Sequence, residues 1–198
     1  EGAYNTGYNY FYLNYCPIQR IVYKNKKNKQ GQEELIKVRE LAFPDFYDYD
    51  YSYFQAIESA QDQGKHLCVA KARRKGYSYK GGSMLCRNFF LIPGSKSYVY
   101  ASNKQYLTDD GILTKAWDYM DFIDENTAWG KKRQAVNTSM RRRASMIVTD
   151  NFGNKIEVGY KSEIIGVSLK DNPDAVRGKA GMLILWEEAG TFPELKAA

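Results

Sequence analysis

Five consecutive apolar residues, Met182-Leu183-Ile184-Leu185-Trp186, run without a break into Glu187-Glu188 and then Ala189-Gly190. A run this short and this apolar suits a buried strand, as in a parallel sheet covered on both faces. Its two terminal acids would then stand at the carboxyl edge, where α/β sheets collect their ligands. Phosphoryl transfer needs one acid to hold Mg2+ through its water shell and one to orient or deprotonate the attacking water. Neighbouring residues at a strand end can divide those tasks. The plain alternative is a pair of glutamates opening an ordinary helix, whose N-terminus favours negative charge.

The rest of the chain supplies a sheet for that strand. His66–Ala70 reads as a buried strand, and Ser97–Ala101 and Glu163–Leu169 as further strands. Apolar residues at helical spacing mark helices over Tyr49–Gln63, from Met84 to Phe90, and over Leu113–Ile123. Strands alternating with helices predict an α/β fold with a mostly parallel sheet flanked by helices. Ala144–Thr149 and Lys155–Tyr160 flank Asp150-Asn151-Phe152-Gly153-Asn154, a strong turn signal, and predict a β-hairpin insertion. Residues 1–44 read as an N-terminal extension of strands and hairpin, and 45–198 as the main domain. Within the extension Glu34–Leu41 is strand-like. Lys24, Lys26, Lys27 and Lys29 read as an exposed turn or loop between two short strands, and the Tyr- and Asn-rich start as an edge hairpin or contact surface.

Between the strand at His66–Ala70 and the helix that follows lies Lys71-Ala72-Arg73-Arg74-Lys75-Gly76-Tyr77-Ser78. Backbone N–H groups at a helix start, together with the helix dipole, make an anion site. The usual phosphate loop is G-x-x-x-x-G-K-[ST], its lysine meeting the β/γ-phosphates and its hydroxyl the Mg2+. Gly76 and Ser78 keep their places, but Tyr77 stands in the lysine position and Lys71 in that of the first glycine. Charge developing on a transferred phosphoryl must still be met, and Lys71, Arg73, Arg74 or Lys75 can reach it from the other arm of the loop. Taken alone, the segment also reads as a solvated basic turn. A phosphate loop after one strand and an acid pair after a later one is the layout of a P-loop NTPase.

Composition narrows the classes. The chain has 198 residues, 43% of them apolar and 26% charged, which suits a soluble domain with its own core. No apolar run approaches the span of a bilayer, so an intracellular protein with no membrane partner is expected. Three scattered cysteines (Cys16, Cys68, Cys86) imply neither a disulfide framework nor zinc; Cys68 in a strand and Cys86 in a helix are expected to be buried thiols. The net charge of +6 suits a polyanionic partner without proving one.

The ordered motifs resemble the ATPase domain of the large terminase subunit, the DNA-packaging motor of tailed bacteriophages. Lys71–Ser78 looks like the deviant loop of some terminases, its lysine moved to the first position. Ala175-Val176-Arg177-Gly178 is similar to the segment that precedes the acidic strand, and Leu183–Gly190 with Phe192 resembles the acidic motif. The resemblance implies ATP and Mg2+ as cofactors, held by residues 71–78. Lys71 would contact the β/γ-phosphates, Arg73 would stabilise the transition state in cis, and Ser78 and Glu187 would share the metal. Glu188 would activate water. Glu187 stands where most P-loop proteins have aspartate. The implied function is ATP hydrolysis that translocates double-stranded DNA into a procapsid, with a portal, a small terminase subunit and a homo-oligomeric ring as partners, in the host cytoplasm. The family's motor domain continues past the acidic strand and a nuclease domain follows. The chain is therefore expected to be incomplete at its C-terminus and weakly active or inactive alone. A helicase-like translocase, or a non-enzymatic DNA- or capsid-binding domain with a degenerate loop, remain as alternatives.

Other residues carry weaker signals. Lys131-Lys132-Arg133 and Arg141-Arg142-Arg143 sit in a basic connection that could contact DNA, supply an arginine finger in trans or simply be solvated. Arg177 is a better candidate for a structural or sensing role near the nucleotide. Gln55, among Tyr47, Tyr49, Tyr51, Tyr53 and Phe54, is the nearest match to an adenine-recognition glutamine, but aromatic packing is the simpler reading of that cluster. Asp109-Asp110 marks a helix turn, and His66 reads as packing.

Overall fold

A computed structural model describes residues 5, 7–28, 31–72, 75–170 and 173–192, with Pro173 described in its backbone alone. The chain divides into two compact units, Glu1–Val69 and Ala70–Ala198.

In the first unit, the Tyr- and Asn-rich start forms a helix, α1 (Gly7–Tyr15), and not an edge hairpin. Tyr8, Phe11, Tyr12 and Tyr15 recur at helical spacing, and Tyr8, Phe11 and Tyr12 are buried. The rings of Tyr8 and Tyr12 lie 6.4 and 5.7 Å from that of Phe54 in α2 (Asp48–Asp62), the helix expected at Tyr49–Gln63. The aromatic cluster there is packing, and Gln55 donates to the Tyr51 hydroxyl at 2.7 Å.

Strands β1 (Ile18–Lys27) and β2 (Glu33–Ala42) form an antiparallel ribbon. Lys24, Lys26 and Lys27 thus lie on a strand rather than in a loop, while Lys29 falls outside the described residues. Lys26 stands opposite Glu34 and Lys27 opposite Glu33, and Lys24 bonds Glu40 at 2.5 Å. Opposite charges facing across a ladder favour the strand that a lysine run alone disfavours.

The second unit holds a five-stranded sheet in the order β4 (Val136–Asn137), β5 (Arg141–Arg143), β8 (Glu163–Ser168), β3 (Lys96–Ala101), β9 (Leu183–Trp186). The pairs β3–β8 and β3–β9 are parallel; β4–β5 and β5–β8 are antiparallel. The sheet is therefore mixed, where a mostly parallel one was expected. The chain reaches β8 through the separate hairpin β6 (Met146–Thr149) and β7 (Lys155–Val158), as the turn chemistry predicts. The Asp150 carboxylate accepts the Phe152 and Asn154 amides, both at 2.8 Å, and Gly153 takes φ +84°.

Buried β3 explains the sheet's core. One face carries Val99 and Ala101, which with Ile164 are fully buried along with the apolar sides of α3 (Tyr77–Leu91) and α5 (Ile112–Asn126). Those helices contribute Met84, Leu85, Phe89, Leu113, Ala116, Met120 and Ile123. The opposite face carries Tyr98 and Tyr100, stacked at 6.0 Å, in a cluster with Leu169, Val167 and Phe192. A short helix, α4 (Gln105–Thr108), leads from β3 into the turn before α5. No helix among the described residues is long and apolar enough to cross a membrane.

Two expected strands differ. His66–Ala70 is irregular and exposed, with Leu67 43% and Val69 38% accessible. An apolar run becomes a strand only where a neighbour supplies its ladder, and among the described residues the sheet ends at β9 without it. Cys68 is consequently exposed, not buried, whereas Cys86 is buried as expected. For the same reason β9 is an edge, and Ile184 and Trp186 stay about two-fifths exposed instead of fully buried.

Candidate active site

Helix α3 begins at Tyr77, directly after Gly76, which holds φ +70° and ψ +23° as its N-cap. That left-handed conformation suits glycine and turns the loop sharply into the helix. Ser78 is the second residue of α3, so it sits in the first turn, where backbone N–H groups lack intrahelical acceptors. Arg73 and Arg74 lie outside the described residues.

Glu187 follows β9, and its N–H donates to the Tyr100 carbonyl at 2.9 Å, extending the parallel ladder by one bond. Its side chain meets the loop: the Ser78 hydroxyl donates to Glu187 Oε1 at 2.7 Å. Beside it, Lys71 Nζ donates to Glu188 Oε1 at 3.2 Å. Two residue pairs separated by more than a hundred positions are thereby brought together. A short 3-10 helix, Ala189–Thr191, does open directly after the two acids with Glu188 as its N-cap, so the acid pair stands both at a strand end and at a helix start.

The two acids differ in environment. Burial pushes the Glu187 carboxyl above the usual carboxylate range; the Ser78 hydroxyl and the Lys71 charge pull it back, and Glu188 pushes it further up. Glu188 is more open, its side chain 47% exposed. Its backbone adopts φ +50°, ψ +51°, unusual for a residue with a side chain. The Glu188 carbonyl accepts both the N–H and the hydroxyl of Thr191 at 2.8 Å, and the Thr191 hydroxyl also meets that of Ser102 at 2.7 Å.

Sequence reasoning missed this Thr191–Ser102 support, although a threonine three residues after the strained acid is a usable signal. It also missed Lys80, 1% exposed in α3, whose ammonium donates to the Lys75 carbonyl at 2.9 Å and stands 4.2 Å from the centre of the Tyr77 ring. Lys71 Nζ lies 5.8 Å from the same ring centre.

Other candidates lie elsewhere in this unit. Arg141–Arg143 form a strand, not a connecting loop. Arg141 bonds the buried Glu163 at 2.6 Å, Arg143 bonds Glu157 at 2.7 Å and Glu163 at 3.3 Å, and Arg142 bonds Asp121 at 3.2 Å over the Trp117 ring. Arg133 pairs with Asp124 and Asp121. These side chains are engaged within the fold. Arg177 is 81% exposed and bonds Asp174 at 3.0 Å. Asp110, in the expected turn, pairs with Lys115.

Ser78 and Glu187 offer adjacent hard oxygen donors, the chemistry Mg2+ takes when water and phosphate fill its other positions. The start of α3 offers amide donors and a favourable dipole end to an anion. The site thus sets the first turn of α3 beside a buried carboxylate and a second, more open acid.

By structural comparison the chain is similar to a large terminase ATPase domain from a Thermus phage. The identity is 18%, the TM-score 0.47, and the match covers 69% of this chain and 59% of that one, somewhat under two thirds of its length. No family model and no curated protein matches the chain.

Proposed function

We propose that the chain is the ATP-hydrolysing part of a P-loop motor that moves double-stranded DNA, of the kind that packages viral genomes into a procapsid. The observation that carries this reading is the meeting of Ser78 with Glu187, a loop hydroxyl on a strand-end carboxylate. The three ordered sequence motifs support the packaging class over a general translocase.

In this reading the amides at the start of α3 and Lys71 bind the β/γ-phosphates, with Arg73 stabilising in cis the negative charge that develops on the transferred group. Ser78 and Glu187 hold Mg2+, which when bound would neutralise phosphate charge. Lys71 now neutralises Glu188 through a partly exposed ion pair, a contact worth at most about 1 kcal/mol. An arriving phosphate can therefore draw Lys71 away and free the Glu188 carboxylate to accept a proton from an attacking water. Portal, procapsid, small terminase subunit and a ring of identical copies are the partners that the motif resemblance supports.

The test is Mg2+-dependent ATP binding and turnover by the wild type and by Glu188→Gln. Binding retained with turnover lost in the variant is expected. Wild-type turnover in Glu188→Gln would sink the catalytic assignment, and no nucleotide binding by the wild type would favour a non-enzymatic module.

A further inference from the structure

Lys80 is a buried cation that the chemistry above leaves unused. From the second turn of α3 it reaches back to both neighbours of Gly76. Its ammonium takes the Lys75 carbonyl at 2.9 Å and faces the Tyr77 ring at 4.2 Å, while its own N–H donates to the Gly76 carbonyl at 3.1 Å. One residue thus touches three consecutive residues of the loop's closing turn. A cation over an aromatic face is attracted by the ring's quadrupole, and more strongly when both are desolvated. At 1% exposure Lys80 cannot be a surface counter-charge.

We infer that Lys80 is a positioning residue that braces the phosphate loop, and that Tyr77, in the usual place of the loop lysine, serves as its aromatic seat. The brace holds Gly76 in its left-handed turn, so the amides at the start of α3 are preset toward an anion instead of being ordered when it arrives. The charge that an ordinary loop carries at position 77 is divided here between two lysines. Lys71 stays accessible to the ligand, and Lys80 holds the frame. This inference rests on the nucleotide reading for its ligand but not for its geometry.

Two measurements separate the two claims. Amide hydrogen exchange over Lys75–Lys80, which includes the Lys80 N–H held by the Gly76 carbonyl, is followed without nucleotide in wild type, Lys80→Met and Lys80→Arg, and ATP with Mg2+ is titrated into each by calorimetry. Faster loop exchange is expected in Lys80→Met with the β3–β8 core unchanged, together with ATP affinity lower by about 10- to 100-fold. Lys80→Arg should recover part of both. Unchanged loop exchange and affinity in Lys80→Met would overturn the inference. Faster exchange in that variant, with no ATP binding even by the wild type, would support the brace and refute the nucleotide reading. If Lys80→Met does not fold, Tyr77→Leu is read instead; it removes the ring alone and should loosen the same Lys75–Lys80 segment, and unchanged exchange there would overturn the brace.

Discussion

Lys71 Nζ rests 3.2 Å from Glu188 Oε1, linking the first residue of the basic loop to the last acid of the strand end. Both side chains are partly exposed, at 30% and 47%, so their pairing carries little of the fold's stability. Its effect is positional: it ties the Lys71 end of the loop to the residues that follow β9.

Lys71→Ala should therefore separate binding from folding. Its thermal midpoint is expected to stay close to wild type, within about 0.5 kcal/mol of stability. ATP affinity should fall about tenfold or more, since a charge-assisted phosphate contact is lost. Calorimetric titration beside a thermal melt checks both halves, and unchanged affinity would remove Lys71 from the site.

Glu187 carries a pH signature. Its carboxyl is held above the ordinary range, chiefly by burial, so folding disfavours its ionised form. The stability it contributes is full below its unfolded pKa and is lost as pH rises through the folded pKa. Glu187→Gln should consequently melt above wild type at about pH 7, with the difference closing near about pH 4. The same variant should lose Mg2+-dependent enhancement of ATP binding. A melt below wild type at neutral pH would contradict the burial argument.

The paired arginines on β5 invite a structural test. Removing Arg141 and Arg143 together would leave Glu163, 1% exposed, without its two ion-pair partners. A buried charge stripped of its partners costs about 3–5 kcal/mol, and denaturant titration of the double alanine variant should show a loss of that order. Full stability in that variant would show that these ion pairs carry little of the fold's stability.

Gly111 lies at the N-cap of α5, and a Cβ there would stand 2.2 Å from the Tyr106 carbonyl oxygen. Backbone cannot yield as a side-chain tip can. Gly111→Ala should destabilise the second unit by about 1–3 kcal/mol, measured by denaturant titration.

What the sequence disclosed followed from local chemistry. Helix α5 has a complete apolar stripe, the β6–β7 turn has its Asp and Gly, and the site's acids sit at a strand end. What it concealed depended on distant partners. His66–Ala70 has the composition of a strand, but pairing is decided by neighbours far along the chain. Arg141–Arg143 looked like a solvated basic run because Glu163, Glu157 and Asp121 become its partners only in three dimensions. Helix α1 was hidden by a different effect: tyrosines buried on one side gave it a helical period that a polar, Asn-rich composition masked.

The backbone of Glu188 has a consequence for anyone selecting sturdier versions of this chain. A side-chain-bearing residue in the left-handed region costs about 1–2 kcal/mol, which glycine would return. Selection for heat resistance alone would therefore favour discarding the carboxylate at position 188. On the function proposed above, robustness and turnover pull in opposite directions at this residue, and a library screened by melting temperature should be counter-screened for hydrolysis.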